Sequence, residues 1–307
     1  MKSLLFILII SLSAYAHEEH DWRSDYEAYL SVSIEPAEFT KVFRGHKRRI
    51  DLEDFKKNLL ILSKVERKSN ENLDITRTFL SDEYKKMGFE VSLQPFGAGT
   101  NFIAEKKGIE NPEKILILSS HIDSVGNKGA NDNGTGTIGV LTVSKELAKN
   151  NYPNTVRVLG FDREEKGLLG SDAYVATIKN KAEIIGNINF EMMGFHRRND
   201  GGFHVIDCER AFLFGTPSEK LSIEIKNSIS KLGLDLKVVK ACTNRSDHAS
   251  FWRAKIPAIV ISENFFGGDA DPCYHSKCDV VDERLNYSYM ERIMEAVLNA
   301  SETLLSK

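Results

Sequence analysis

Four short segments of this 307-residue chain carry residue types that can do chemistry together. The first is Ser120-His121-Ile122-Asp123, followed closely by Gly129-Ala130-Asn131-Asp132-Asn133-Gly134. The others are Asp162-Arg163-Glu164-Glu165-Lys166-Gly167, Phe190-Glu191-Met192-Met193-Gly194 and Cys273-Tyr274-His275. Two histidines among several acids, in a chain with no phosphate loop, form a donor set for a borderline metal that accepts nitrogen and oxygen. Taken singly, each segment has a plainer use. A His and an Asp at a strand end make a hydrogen-bonded pair, and Asp132-Asn133-Gly134 makes a turn and a helix N-cap. Glu164 and Glu165 suit the positive end of a helix.

What positions these segments is legible in the hydrophobic spacing. Apolar residues every three or four positions predict helices over 51–64 and 73–87. Strands are expected over 89–95 and 101–106, joined through Gly97-Ala98-Gly99. An alternation follows: strand 114–119, helix 134–149, strand 155–161, helix 167–178 and strand 184–190. Helix 218–232, strand 258–261 and helix 287–305 complete it. Strands alternating with helices predict an α/β fold, with a mostly parallel central sheet covered by helices on both faces. Such sheets bind ligands beyond the carboxyl ends of their strands. The first three chemical segments leave the ends of expected strands, and the fourth lies in the loop after the last one.

Composition narrows the classes. Hydrophobic residues make up 41 % and charged residues 28 %, an ordinary globular mix. The net charge of −3 offers no basic field for nucleic acid, and neither a basic patch nor an aromatic platform is present. Residues 1–16 have the form of an export signal: Lys2, an apolar run over 4–12, then Ala14-Tyr15-Ala16. That run is too short for a membrane span, which needs roughly 20 residues. A periplasmic or extracellular chain with no membrane attachment after cleavage is expected. Residues 17–49 read as an arm or pro-segment, with His17 and His20 at a frayed end. In an oxidising compartment the four cysteines suggest disulfides. Cys273 and Cys278 would pin the loop carrying His275, whereas Cys208 and Cys242 suit either a second bridge or two buried thiols.

In order and spacing, these segments resemble the zinc exopeptidases that include bacterial secreted leucyl aminopeptidases and, more distantly, glutaminyl cyclases. The resemblance includes Glu164-Glu165-Lys166-Gly167-Leu168-Leu169-Gly170-Ser171, Ser246-Asp247-His248 and the run from Asp271 to Asp279, Asp-Pro-Cys-Tyr-His-Ser-Lys-Cys-Asp. It implies a single catalytic domain over 50–307 with the phosphorylase/hydrolase-like fold, acting as a monomer on peptides with a free N-terminus. Two zinc ions are implied, bridged by Asp132. His121 and Glu191 would complete one site, and Glu165 with His275 the other. Glu164 would be the general base, and Asp123 the acid that fixes the His121 tautomer. Family members carry a non-proline cis peptide after the bridging acid, here Asp132-Asn133. Tyr274 would donate to the developing oxyanion or else pack as an aromatic, and Arg245 would contact substrate or make a surface ion pair. Asp247 would position its loop. Met192, Met193, Phe195, Phe265 and Phe266 would wall an apolar pocket or belong to the core.

One position departs from the resemblance. The aminopeptidases usually have Asp where this chain has Glu191, which is one methylene longer and bears on both the metal and the substrate amine. Two other readings are weighed beside the peptidase. A glutaminyl cyclase would use a single zinc, but the cyclases tend to put Trp directly before the late His, where this chain has Tyr274. A catalytically dead binding module would be expected to have lost ligands or base, and only Glu191 points that way.

Overall fold

The computed structural model describes residues 48–208 and 218–307. The export-signal reading of 1–16 and the His17/His20 pair fall outside the described residues. Among them no helix is long and apolar enough to cross a membrane. The elements run α1 (Leu52–Leu62), α2 (Asn70–Lys86), β1 (Glu90–Phe96), β2 (Gly99–Lys106), β3 (Asn111–His121), α3 (Gly136–Leu147), β4 (Asn154–Phe161), α4 (Leu169–Val175) and β5 (Ile184–Glu191). They continue β6 (Gly202–Ile206), α5 (Glu219–Leu232), β7 (Lys237–Val238), α6 (His248–Arg253), β8 (Ala258–Glu263) and α7 (Tyr287–Leu305).

The strands form one eight-stranded sheet in the order β1-β2-β4-β3-β5-β8-β6-β7. Its centre, β4-β3-β5-β8, is parallel. Antiparallel pairings join β1 and β2 on one side and β6 on the other. Successive side chains of the central strands feed two separate cores, as a period of two requires. Leu116, Leu118, Ile188, Phe190, Ile259 and Ile261 face the core under α1, α2, α3, α5 and α7. Ile115, Ile117, Leu159, Phe161, Ala258 and Val260 face the core under α4 and α6. Burial on both faces explains why these strands read as unbroken apolar runs. The expected mostly parallel sheet, sandwiched by helices, is thus observed, although five helices cover one face and two short ones the other.

The expected helix over 167–178 is shorter than its pattern. A single 3-10 turn, Glu164–Lys166, precedes α4 (Leu169–Val175). Arg163, Gly167 and Leu168 all have positive φ (63°, 98° and 63°), so the chain turns twice before a helix can start. Strands β6 and β7 and helix α6 were not expected. They span five, two and six residues, too short for periodicity to register. Both candidate disulfides are formed, Cys273–Cys278 and Cys208–Cys242.

Helix α6 carries a buried imidazole with a consequence for acid stability. His248 lies edge-on to Trp252 at 4.5 Å, and its Nε2 is 3.0 Å from the Thr243 carbonyl. Burial pushes its pKa down to about 4. The native ring therefore stays neutral between about pH 6.5 and 4, while the unfolded chain takes up a proton there. Stability present above pH 6.5 is lost as pH falls through this window, by about 3 kcal/mol at 1.36 kcal/mol per unit. His248→Gln keeps an N–H for Thr243 but does not titrate. Denaturant unfolding of both proteins from pH 7 to pH 4 should show the variant losing that much less.

Candidate metal centre

The carboxyl ends of β3, β4 and β5 bring three of the chemical segments to one rim of the sheet. His121 is the last residue of β3 and Glu191 the last of β5, while Glu164 and Glu165 form the turn just beyond β4. The loop after β8 folds back to deliver Tyr274 and His275, with Cys273–Cys278 closing it across five positions. Asp132 sits in an irregular turn ahead of α3, and the Asp132-Asn133 peptide is cis. Gly129 opens that turn at φ 54°. A Cβ there would lie 2.5 Å from the Asp132 carbonyl oxygen and 2.8 Å from Arg67, so no other residue fits.

Asp132 lies between the two histidines. Its Oδ1 is 3.3 Å from His121 Nε2, and its Oδ2 is 3.2 Å from His275 Nε2. Each imidazole meets one further acid: Glu191 Oε1 is 3.3 Å from His121 Nε2, and Glu165 Oε2 is 3.2 Å from His275 Nε2. Donors 2.0–2.1 Å from a tetrahedral zinc stand about 3.3 Å apart, so these separations are edges of such a shell. Glu165 Oε1 is buried without a hydrogen-bond partner, as expected of an oxygen aimed at a cation. Ligand atoms of His121, Asp132 and Glu165 also lie within 4.8 Å of one another, so the donor set and its spacing fit a borderline metal such as zinc beside Asp132.

Asp123 has a wider reach than a tautomer-fixing role requires. His121 Nδ1 lies 3.2 Å from the Asp123 backbone carbonyl and 3.4 Å from its Oδ1, which leaves Nε2 facing Asp132. The same carboxylate accepts the backbone N–H of Glu164 at 3.1 Å and of Glu165 at 3.3 Å. One side chain thus aligns the histidine and the acid pair. Burial, with Asp247, Glu191 and Glu165 adding to it against the opposing pull of His121, holds the Glu164 carboxyl well above the usual carboxylate range. Burial and Asp132 push Glu165 up to about 6. Asp247, fully buried at the start of α6, is pushed up to about 7 by burial.

Glu191 is held by one oxygen. Its Oε2 accepts the Ser246 hydroxyl at 2.6 Å, and Ser246 Oγ accepts Asn189 Nδ2 at 2.8 Å. Ser119 in turn donates to Asn189 Oδ1 at 2.9 Å. That leaves Glu191 Oε1 toward His121. Ser246 stands in the Ser246-Asp247-His248 motif, but its bond to Glu191 is not legible in the sequence.

These residues line one open cleft. His121, Asp132, Glu164, Glu165, Glu191 and His275 form its polar end. Met192, Ile206, Val260, Phe265 and Phe266 form an apolar wall, with Arg245, Thr243 and Tyr274 also at its surface. Arg245 is exposed. Met193 and Phe195, expected as possible wall residues, instead pack into the interior and are almost fully buried. Tyr274 stacks on His275 at 3.8 Å and meets Phe265 edge-on at 5.0 Å.

Two supporting residues escaped the sequence reading of the site. Asp279 accepts the backbone N–H of Asn131 at 2.7 Å and of Asp132 at 3.0 Å. Arg67, with no exposure, donates to the carbonyls of Ile122, Lys128 and Gly129 at 2.9, 2.7 and 2.8 Å. It holds the loop that runs from His121 to Asp132. Asp279 stands in the motif run that ends at 279, but Arg67 lies in an unremarked polar stretch.

Residues 101–301, well over half the chain, match peptidase family M28. The chain belongs to that family. The leupeptin-inactivating enzyme 1 of Streptomyces exfoliatus is 31 % identical to it over 241 residues, covering 71 % of this chain. This chain spans about half of that relative, 52 % of its length. Among solved structures, an aminopeptidase from Aneurinibacillus sp. strain AM-1 superposes with a TM-score of 0.73 at 16 % identity, over 84 % of this chain and 95 % of that one. A glutaminyl cyclase from Bacteroides thetaiotaomicron superposes with a TM-score of 0.67 at 16 % identity, over 83 % and 98 %. At such identities the likeness is one of fold alone.

Proposed function

We propose that this chain is an exported metallo-aminopeptidase that hydrolyses the N-terminal peptide bond of peptides with a co-catalytic pair of zinc ions. The observation that carries the reading is the sharing of Asp132 between His121 and His275, with one further acid on each side. His121, Asp132 and Glu191 would hold one ion, and Asp132, Glu165 and His275 the other. Zinc bound there would polarise the scissile carbonyl and acidify the attacking water. Membership of a peptidase family and the aminopeptidase named above support the same reading. The signal-like pattern of residues 1–16 and the two disulfides support a location outside the cytoplasm.

The remaining work falls to this chain's own side chains. Glu164, a carboxylate beside the metal donors and outside their set, takes a proton from the attacking water and passes it to the departing amine. The acids around the cleft's polar end attract the free α-ammonium of the substrate. Tyr274 offers its hydroxyl to the oxygen that becomes negative. The first side chain enters against Met192, Phe265 and their neighbours, and Arg245 stands at the mouth to meet the rest of the peptide. Asp123 and Asp247 act from beneath, through His121 and the Glu164 turn.

Hydrolysis of a panel of aminoacyl-anilides, with an N-blocked leucyl anilide included, tests this reading. Cleavage of the unblocked compounds alone, lost to a chelator and restored by zinc, is the expected result. Cleavage of the blocked compound sinks the exopeptidase assignment. Silence on every anilide, with ammonia released from a peptide beginning with Gln, makes the chain a cyclase. The support of Glu191 gives a separate prediction. Ser246→Ala should weaken zinc binding by about 10- to 100-fold, as loss of a ligand's hydrogen-bond partner does elsewhere, measured by competition with a chelating dye.

A further inference from the structure

The apolar wall of the cleft poses a mechanical problem. Phe265 and Phe266 belong to a three-residue 3-10 turn, Phe265–Gly267, and Phe266 is 45 % exposed. Rings that face an open cleft cannot anchor their own backbone by burial. The turn is closed by its own bonds only at its far end, where Gly267 and Asp269 donate to the Asn264 carbonyl. Its leading N–H groups need acceptors elsewhere.

A fully buried histidine in the neighbouring strand supplies one. His204 in β6 pairs across the sheet with Ser262 of β8, directly before the turn. Its Nε2 accepts the Phe266 backbone N–H at 3.0 Å. That bond requires a bare Nε2, so the ring proton is on Nδ1, which donates to the Val239 carbonyl at 2.8 Å. Burial lowers the pKa of His204 and keeps the ring neutral. Val239 begins the segment that reaches Thr243 and Arg245 on another side of the cleft. One side chain therefore pins two cleft-lining segments at one point. From the pinned turn an aromatic series runs inward, Phe266 to Phe265 at 5.2 Å, Phe265 to Tyr274 at 5.0 Å and Tyr274 to His275 at 3.8 Å.

The geometry points to His204 as the positioning residue that sets the width of the apolar pocket, and so as the determinant of a preference for bulky apolar first residues such as Leu over Ala. This rests on the aminopeptidase reading of the same cleft. His204 lies outside the candidate ligand set; it acts through the backbone of Phe266 and Val239 and through its ring, 5.8 Å from that of Phe266.

The test compares the native protein with His204→Phe, which keeps the ring's bulk without its nitrogens, and with His204→Gln, whose amide carries one donor and one acceptor. His204→Asn, too short to reach both partners, replaces the Phe variant if that one does not fold. Two quantities are read: kcat and KM on leucyl and alanyl anilides, and hydrogen exchange of the peptide covering 264–268. The Phe variant should lower the Leu/Ala ratio of kcat/KM by about tenfold, mainly through KM for Leu, with kcat on Ala within about threefold. Exchange at Phe266 should quicken by at least about tenfold, and the Gln variant should recover both. A folded Phe variant with native selectivity overturns the proposal, and so does native exchange at Phe266. If the native protein cleaves no anilide, the aminopeptidase reading falls by itself. Exchange then still decides whether His204 pins the wall, and unchanged exchange overturns the pin as well.

Discussion

Glu164→Gln should lower kcat about a thousandfold, within the range lost with a general base, while KM and zinc content stay near native. The side chains are isosteric, and the backbone bond from Glu164 to Asp123 is untouched by the change. Glu164 stands outside the two groups that converge on Asp132, so Glu164→Gln leaves those donors in place. Its neighbour should behave in the opposite way. Glu165→Gln weakens a donor 3.2 Å from His275 Nε2, so zinc content should fall along with rate. Steady-state kinetics and metal analysis on the two variants separate the roles. Retention of more than about a tenth of kcat in Glu164→Gln would place the base elsewhere.

The second large effect concerns stability. Arg67→Met should cost about 3–5 kcal/mol, the loss seen when one partner is removed from a buried charged network. Arg67 lies wholly inside and feeds three carbonyls of the loop between His121 and Asp132. Burial works against its charge, and Asp279, Asp123, Asp132 and Glu165 offset only part of that cost. Without it, those acids face one another with less cationic balance and three carbonyls lose their donors. For a domain of this size the melting temperature should drop by about 10 °C. Zinc should recover part of that drop, because a ligand that binds only the folded state stabilises it. A melting temperature within about 2 °C of native would show that the loop is held by other means.

What could be read from the chain divides along a physical line. Helix α7 coincides with its expected span because its apolar periodicity continues for 19 residues. Strands β3, β4 and β5 are legible as apolar runs because both faces of the sheet are covered. The converging acids and histidines were found because each lies at a strand end or in a compact motif. Arg67, Asp279, His204 and the Ser246 bond to Glu191 were not. Their roles arise from partners far along the chain: Arg67 reaches Gly129 across 62 positions, and His204 reaches Phe266 across 62. Local pattern carries no trace of such pairs. The wall residues show the same limit, since Met192 and Met193 are adjacent, yet one lines the cleft and the other lies in the core.

On the aminopeptidase reading, each copy of the chain is also a substrate offered to the others. The chain enters the folded domain at a clamp: the backbone N–H groups of Arg49 and Ile50 both donate to Glu295, at 2.5 and 3.0 Å. Arg48 pairs with Glu291 and Arg49 with Glu302, and Asp51 caps α1 immediately afterwards. A terminus must be loose and extended to thread into a cleft, and from Arg49 onward this one is neither. Mutual digestion between copies would run down to the clamp and stall there.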